Sequence, residues 1–241
     1  MEIGQKVIHL NHVDSTNNYT AKLLNEGLID HGTVILAEEQ FSGKGYRSSR
    51  WVSNPGENLT ISVFLDNVNL SVKNQFVLTK IVSLILVDLL KRFKIKSKIK
   101  WPNDIYVDGE KIAGVLIENQ IKLSVIKSSI IGIGLNVNQI HFEDFIATSV
   151  KKKTGKFESI NDFLYVFIHS FNKVWNQYFH QVNLLDREYF NYLYLKDVKS
   201  NYKDNSGVFS GIIRGVKSSG KLLIEKDNTR IEYGMKEIEF I

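Results

Sequence analysis

Cysteine is absent from the 241 residues, and that absence removes disulfides, thiolate nucleophiles and cysteine-bound zinc. It suits a reducing compartment. No apolar run is long enough to span a bilayer, since the greasiest stretch, from Ile81 to Leu90, is short and carries Asp88. The opening residues from Met1 to Leu10 lack a basic cap followed by an apolar core, so no secretory leader is read and a cytoplasmic location is expected. His9, His12, His31, His141, His169 and His180 show no helical metal spacing with a carboxylate partner, and no serine sits in a nucleophile elbow. Zinc enzymes and serine hydrolases are thereby set aside. There is no internal repeat or low-complexity tract.

What is present is an ordinary globular composition, 43% apolar and 24% charged, long enough to bury one large core and a smaller one. Lys and Arg number 31 against 26 acids, a formal charge of +5 that favours anionic partners: nucleotide, nucleic acid or an acidic protein. Most of these lysines read as solvated surface. Lys151-Lys152-Lys153 reads as a mobile basic loop more than as a nucleic-acid patch.

The periodicity gives an α+β chain. Asp14-Ser-Thr-Asn17 has the composition of a helix N-terminus, with a helical pattern that stops near Gly27. Residues 33–37 and 59–65 read as buried strands, with a polar, glycine-bearing loop over 40–57 between them. A long amphipathic helix is expected over 72–93. Strands at 105–107, 111–118 and 124–135 then follow, with Asp108-Gly109 as a hairpin turn. Residues 138–156 read as irregular and 160–181 as helix. From about 198 to 241 the pattern becomes short strands with turns at Ser206-Gly207, Ser219-Gly220 and Asp227-Asn228, which predicts a small β-barrel-like appendage after a boundary near residue 195.

Three motifs carry chemistry. The first is Gln40-Phe-Ser-Gly-Lys-Gly-Tyr-Arg-Ser-Ser-Arg-Trp51, in which Gly43 and Gly45 let backbone pass close to a ligand while Lys44, Arg47 and Arg50 bring positive charge. It is not a phosphate-binding P-loop, because Gly45 follows Gly43-Lys44 and Glu38 occupies the place of the first glycine. Taken alone it reads equally as a flexible basic hairpin. The second is Lys100-Trp-Pro-Asn-Asp104 followed by Lys111-Ile-Ala-Gly114. Pro102 ends a strand, Asn103 and Asp104 sit at the junction, Lys111 lies across a short hairpin, and Gly114 admits something close to the sheet. Alone, this is also a proline turn and a half-buried strand. The third, Gly132-Ile-Gly-Leu-Asn-Val-Asn138, fails as a dinucleotide fingerprint for want of a third glycine and a following helix, and alone reads as a strand with a glycine bend.

In this order and spacing, and joined by Asp14-Ser-Thr-Asn17, the three resemble the biotin–protein ligases (holocarboxylase synthetase-like enzymes) over roughly residues 8–140. The resemblance implies a mixed-sheet catalytic domain flanked by helices, of the class II synthetase-like biotin and lipoate ligase fold, over residues 1–195. It also implies a small SH3-like β-barrel over 196–241. The implied activity makes biotinyl-5′-AMP from biotin and ATP with Mg2+, then transfers biotin to a lysine of a biotin carboxyl carrier protein or carboxylase subunit. Ser15, Thr16, Asn17, Gln40, Gly43, Lys44, Gly45, Lys111 and Gly114 then correspond to the biotin site, and Arg47, Trp51, Asn103 and Asn136 to the nucleotide side. Trp51 reads in addition as packing support for its loop. Lys111, Arg47 and Asp104 correspond to catalytic groups.

The chain departs from the family's Gly-Arg-Gly-Arg-x-Gly-Arg loop. Lys44 keeps the first arginine's charge but loses its fork, Tyr46 loses the second charge, and Ser48 replaces a glycine. The motif pattern starts by about residue 8, so the short form without an N-terminal DNA-binding domain is expected, with no DNA partner, as monomer or homodimer. Two other readings stay open. A lipoate–protein ligase shares the fold and the two-step chemistry, and a basic nucleic-acid-binding module has some footing in Lys196, Lys199, Lys203, Arg214 and Lys217.

Overall fold

The computed structural model describes residues 2–45, 50–143 and 146–241. The chain opens as a β-α-β unit. β1 (Val7–Val13) and β2 (Val34–Gln40) pair in parallel with Val7 opposite Val34, and α1 (Thr16–Asn25) makes the crossover that a parallel pair needs. β3 (Asn58–Leu65) returns antiparallel to β2 and is buried at every position, as a central strand covered on both faces must be. After the short β4 (Leu70–Ser71), a 3-10 turn over Val72–Asn74 leads into α2 (Phe76–Arg92). The helix expected from residue 72 therefore starts later, because that turn closes first through the bond from Gln75 N to Val72 O at 3.1 Å.

β5 (Lys98–Lys100), β6 (Asp104–Val107), β7 (Glu110–Lys122) and β8 (Val125–Asn136) follow as an antiparallel series. Asp108 and Gly109 both have positive φ, 51° and 81°, which is the twist-matched two-residue hairpin expected at that dipeptide. The β7–β8 connection uses the same device at Leu123 and Ser124, φ 51° and 61°. Nothing in Leu-Ser signals it, so strand β8 had been expected to begin one residue earlier. The large sheet runs β1-β2-β3-β8-β7-β6-β5, with β4 paired to β8.

Three helices follow: α3 (Val150–Thr154), α4 (Ile160–Tyr178) and α5 (Val182–Tyr192). α3 falls in the segment expected to be irregular; Ser149 caps it by accepting from Lys152 N, and Gly155 closes it at φ 74°. α5 escapes the periodicity because only Leu185 and Tyr189 are buried along it. α2, α4 and α5 pack together over one face of the sheet, while α1 covers β3 and β8. Among the described residues no helix is long and apolar enough to cross a membrane.

The C-terminal strands β9 (Lys199–Asp204), β10 (Gly207–Val216), β11 (Leu222–Lys226), β12 (Thr229–Tyr233) and β13 (Glu239–Phe240) form a separate antiparallel sheet in the order β12-β11-β10-β9-β13. Among the described residues β12 and β13 do not pair, so the sheet keeps two ends. One of its turns lodges against α2 and the β5–β6 connection. Gly220, at φ 88°, lies against the Phe76 ring, and its carbonyl accepts from the buried Trp101 Nε1 at 2.8 Å.

Lys80 of α2 is 2% exposed, with Nζ 2.7 Å from Asp186 of α5 and 5.8 and 5.7 Å from the Phe76 and Tyr189 ring centres. Desolvation also holds the Tyr189 phenol neutral by pushing its pKa far up. Removing Asp186 leaves a buried ammonium uncompensated, whereas replacing Lys80 with an apolar chain of like length leaves a carboxylate that water already reaches. Asp186→Ala is expected to cost about 2 kcal/mol, less than a fully buried pair would, because Asp186 is 42% exposed. Lys80→Met is expected to stay within about 1 kcal/mol of the parent. Urea denaturation midpoints decide it, and equal losses for the two would show that the charge pair is not what sets stability there.

Candidate active site

One row of residues crosses the large sheet on neighbouring strands: Lys100, Asp104, Gly114, Gly134, Thr60 and Ala37. The parallel row two residues along β8 holds Leu116, Gly132, Ser62 and Ile35. Alternation puts Gly132 and Gly134 on one face, and with Gly114 they leave the floor of that face without side chains. The space is used. A β-carbon at Gly132 would land on the Asn17 amide and one at Gly134 inside the Trp51 indole. Above Gly114 lie Asp104 Oδ1 and Lys111 Nζ, each 3.3 Å from where its β-carbon would be. The result is a cavity of about 460 Å³, within the usual range of ~300–1,000 Å³ for small-molecule sites.

One end is uncharged and fully networked. Ser15 is the N-cap of α1 by backbone, yet its side chain makes no capping bond. Thr16 N donates to Gln40 Oε1 at 2.7 Å, and Thr16 Oγ1 lies 3.0 Å from the same oxygen. Ser62 Oγ is 2.7 Å from Thr16 Oγ1 and 2.6 Å from Asn17 Oδ1, and Asn17 Nδ2 donates to Glu118 Oε2 at 2.6 Å. Ser15, Thr16 and Asn17 are all buried.

The other end is charged. Lys111 Nζ meets Asp104 Oδ1 at 2.7 Å, with the two side chains 30% and 26% exposed. Lys111 also sits 5.9 Å from the Trp51 ring centre. The β6–β7 bulge between Ile105 and Tyr106 shifts the register so that Lys111 stands opposite Tyr106, which returns its side chain to Asp104. Among the described residues the cavity is bordered by the cations Lys44, Arg50, Lys100, Lys111 and Lys236 against the carboxylates Asp104 and Glu239. Low-dielectric walls and an excess of one sign concentrate anions. Lys100 donates to Tyr106 Oη at 3.2 Å and lies 5.2 Å from the Phe240 ring centre. Burial, then the charge of Asp104, pushes the Tyr106 phenol up and keeps it neutral.

The basic loop is pinched at its base. Trp51 N donates to Gly43 O at 3.0 Å and Lys44 bridges to Arg50. Trp51 Nε1 is buried without a hydrogen-bond partner among the described residues. Of the residues singled out from sequence, Ser15, Thr16, Asn17, Gln40, Lys44, Gly45, Trp51, Asn103, Asp104, Lys111 and Gly114 line this one cavity. Arg47, with Tyr46 and Ser48, lies outside the described residues. Gly43 backs onto the Trp51 carbonyl and does not line the cavity. Asn136 is buried and turned to donate to Thr148 O at 3.0 Å, and Asn103 Nδ2 donates to Val115 O at 2.6 Å. Sequence reading missed Thr60, which lines the cavity, and Ser62, which is fully buried behind Thr16; their only signal is a small hydroxyl at every second position of a buried strand. It also missed Met235, Ile238 and Phe240, which border the cavity from the C-terminal sheet and carry no signal at all.

Comparison with known proteins places this geometry. The model of the biotin/lipoate A/B protein ligase family matches residues 10–137. The bifunctional ligase/repressor BirA of Bacillus spizizenii is 30% identical over 236 residues, spanning 92% of this chain and 70% of that protein. The biotin–[acetyl-CoA-carboxylase] ligase of Paracoccus denitrificans is 34% identical over 131 residues, covering 53% of each. Among solved structures, biotin protein ligase from Aquifex aeolicus in complex with biotin and ATP superposes with a TM-score of 0.81 over 99% of both chains at 24% identity, a likeness of fold.

Proposed function

The chain belongs to the biotin/lipoate A/B protein ligase family, and from that premise we propose that it is an ATP-dependent biotin–protein ligase. The observation that carries the reading is one cavity with an uncharged hydrogen-bonding end at Thr16 and Gln40, backed by the buried Ser62, and a charged end at Lys111 and Asp104. A cyclic urea suits the first and a carboxylate meeting a phosphate suits the second.

In the first step a carboxylate oxygen of biotin attacks the α-phosphorus of ATP, the acyl–phosphate bond forms, and pyrophosphate leaves. Two unit anions at ~4 Å repel by about 4 kcal/mol at an effective dielectric near 20. Lys111, with Lys44 and Arg50 on the loop, offsets that repulsion and stabilises the charge that builds on the leaving group. In the second step a carrier-protein lysine amine attacks the acyl carbon, the amide forms, and AMP leaves. The amine gives up a proton, for which Asp104 is the carboxylate at hand.

A magnesium ion bound with the nucleotide would neutralise phosphate charge; among the described residues bordering the cavity Asp104 is paired with Lys111 and Glu239 is the other carboxylate, so phosphate and water oxygens would supply most of its ligands. Residues 1–195 are read as the ligase domain and 196–241 as a small β domain whose Met235, Ile238 and Phe240 wall one side of the site. The acceptor is read as a biotin carboxyl carrier protein.

Pyrophosphate–ATP exchange tests the reading in three arms: biotin, lipoate and no acid. Exchange that requires biotin is the expected result. Exchange with lipoate alone reassigns the chain to the other branch of the family, and exchange with neither acid refutes adenylation of both.

A further inference from the structure

Glu118 stands on β7, exposed and outside the cavity lining, and the chemistry above gives it no task. Its carboxylate nevertheless ends a chain of buried hydrogen bonds. An ionised carboxylate accepts and never donates. The Asn17 amide is therefore held with its nitrogen on Glu118 Oε2, at 2.6 Å, and its oxygen on Ser62. An amide oxygen also only accepts, so the 2.6 Å contact between Ser62 Oγ and Asn17 Oδ1 uses the one hydroxyl hydrogen of Ser62. Ser62 can then offer Thr16 only lone pairs, so on this assignment the hydrogen of their 2.7 Å contact comes from Thr16 and the 3.0 Å approach of Thr16 Oγ1 to Gln40 Oε1 holds none.

The chain thus runs in one sense, from Thr16 through Ser62 and Asn17 to Glu118. Its consequence lies at the cavity. Thr16 has given its hydrogen inward and faces the ligand with lone pairs, while Gln40 Oε1, fixed by Thr16 N at 2.7 Å, leaves the Gln40 amide nitrogen as a donor. A cyclic urea carries two N–H donors and one carbonyl acceptor, which matches that presentation. Were the Asn17 amide reversed, its N–H would feed Ser62, Ser62 would feed Thr16, and Thr16 would spend its hydrogen on Gln40 Oε1, 3.0 Å away. Thr16 would then offer one acceptor position fewer. The Asn17 amide occupies the space that a side chain at Gly132 would fill, between Ser62 on one side and Glu118 on the other.

We propose that Glu118 is a positioning residue, which sets the direction of the Asn17–Ser62–Thr16 side-chain relay behind the uncharged end of the cavity and through Thr16 presents acceptors to the two urea N–H groups. The inference rests on the biotin reading of this cavity and adds a residue that does not touch the ligand.

The test is calorimetric binding of biotin to the full chain carrying Glu118→Ala or Glu118→Gln, with steady-state exchange measured beside it. Glu118→Ala is expected to raise the Kd and KM for biotin about tenfold while kcat and the KM for ATP stay within about twofold, as loss of hydrogen-bond alignment at one ligand end requires. Glu118→Gln keeps an acceptor oxygen and is expected to restore biotin affinity to within about threefold. Should Glu118→Ala fail to fold, Glu118→Met supplies the same contrast at nearly unchanged length. Unaltered biotin affinity in the variant that lacks an acceptor overturns the inference alone, as does equal impairment by Ala and Gln, or a parallel loss of ATP affinity and kcat. A parent chain that binds no biotin overturns the functional reading and the inference with it.

Discussion

Lys111→Met is expected to lower biotin-dependent pyrophosphate–ATP exchange by about 10³-fold, almost wholly in kcat, as removal of one preorganised electrostatic group from a transition state does. The side chain is held for this task from two directions. Asp104 Oδ1 fixes Nζ at 2.7 Å, and the missing side chain at Gly114 leaves room for both groups over the sheet floor. Methionine keeps most of the stem and volume and deletes only the charge, so packing around the cavity should survive. The uncharged end at Thr16 and Gln40 is untouched, which leaves the ring of biotin its contacts and its KM within a few-fold. Arginine at 111 keeps the charge but brings a planar fork into a space that fits a point cation, and an intermediate rate is expected. Steady-state exchange for the three proteins distinguishes the cases. A methionine variant that retains more than about a tenth of the parent rate would remove Lys111 from the chemistry and leave it a structural partner of Asp104.

Gly134→Val is expected to abolish activity to the detection limit and to destabilise the fold by about 2 kcal/mol through overpacking. Gly134 lies in strand β8 without a left-handed φ, so a side chain there meets no backbone penalty and even restricts the unfolded chain favourably. The whole cost comes from contact, because the new β-carbon would occupy the Trp51 indole. Trp51 anchors the basic loop by donating from its backbone to Gly43 O, next to the Lys44–Arg50 bridge. Driving the indole off the sheet therefore carries Lys44 and Arg50 away from the cavity. A double-mutant cycle makes the argument specific. Combining Gly134→Ala with Trp51→Ala should recover about 1–3 kcal/mol relative to the sum of the single changes, since the second substitution vacates the space the first needs. Urea denaturation of the four proteins measures the coupling, and strict additivity would refute the packing role assigned to this glycine.

The two substitutions differ in how visible their reasons were beforehand. Lys111 belongs to a short motif in which neighbours along the chain remain neighbours in space: Asp104 and Lys111 are separated by one tight hairpin, and Asp108-Gly109 declares that hairpin by composition. The glycines of Gly132-Ile-Gly134 read as a strand bend. Their purpose depends on which residues arrive from elsewhere, Asn17 from α1 and Trp51 from the basic loop, and neither arrival is written within β8. Asn136 shows the reverse case. It reads as a site residue, while its side chain turns toward Thr148 of the segment that runs beside Lys111.

The sequence by itself determined the alternation of strands and helices, the turns at Asp108-Gly109 and Asp227-Asn228, the short-strand pattern toward the C-terminus, and, through its three motifs, the family. These are short-range properties, set by backbone preferences and by apolar spacing within a few residues. Only the tertiary structure decided that Thr60 lines the cavity with Ser62 bonded behind Thr16, that Glu118 accepts from Asn17 across 101 positions, and that Met235, Ile238 and Phe240 border the site. Those outcomes depend on strand register, where a slip of one residue turns every side chain to the other face. They depend as well on how the second sheet lodges at Trp101 and Gly220. Register and docking are settled by burial summed over the whole molecule, and no local stretch of sequence contains that sum.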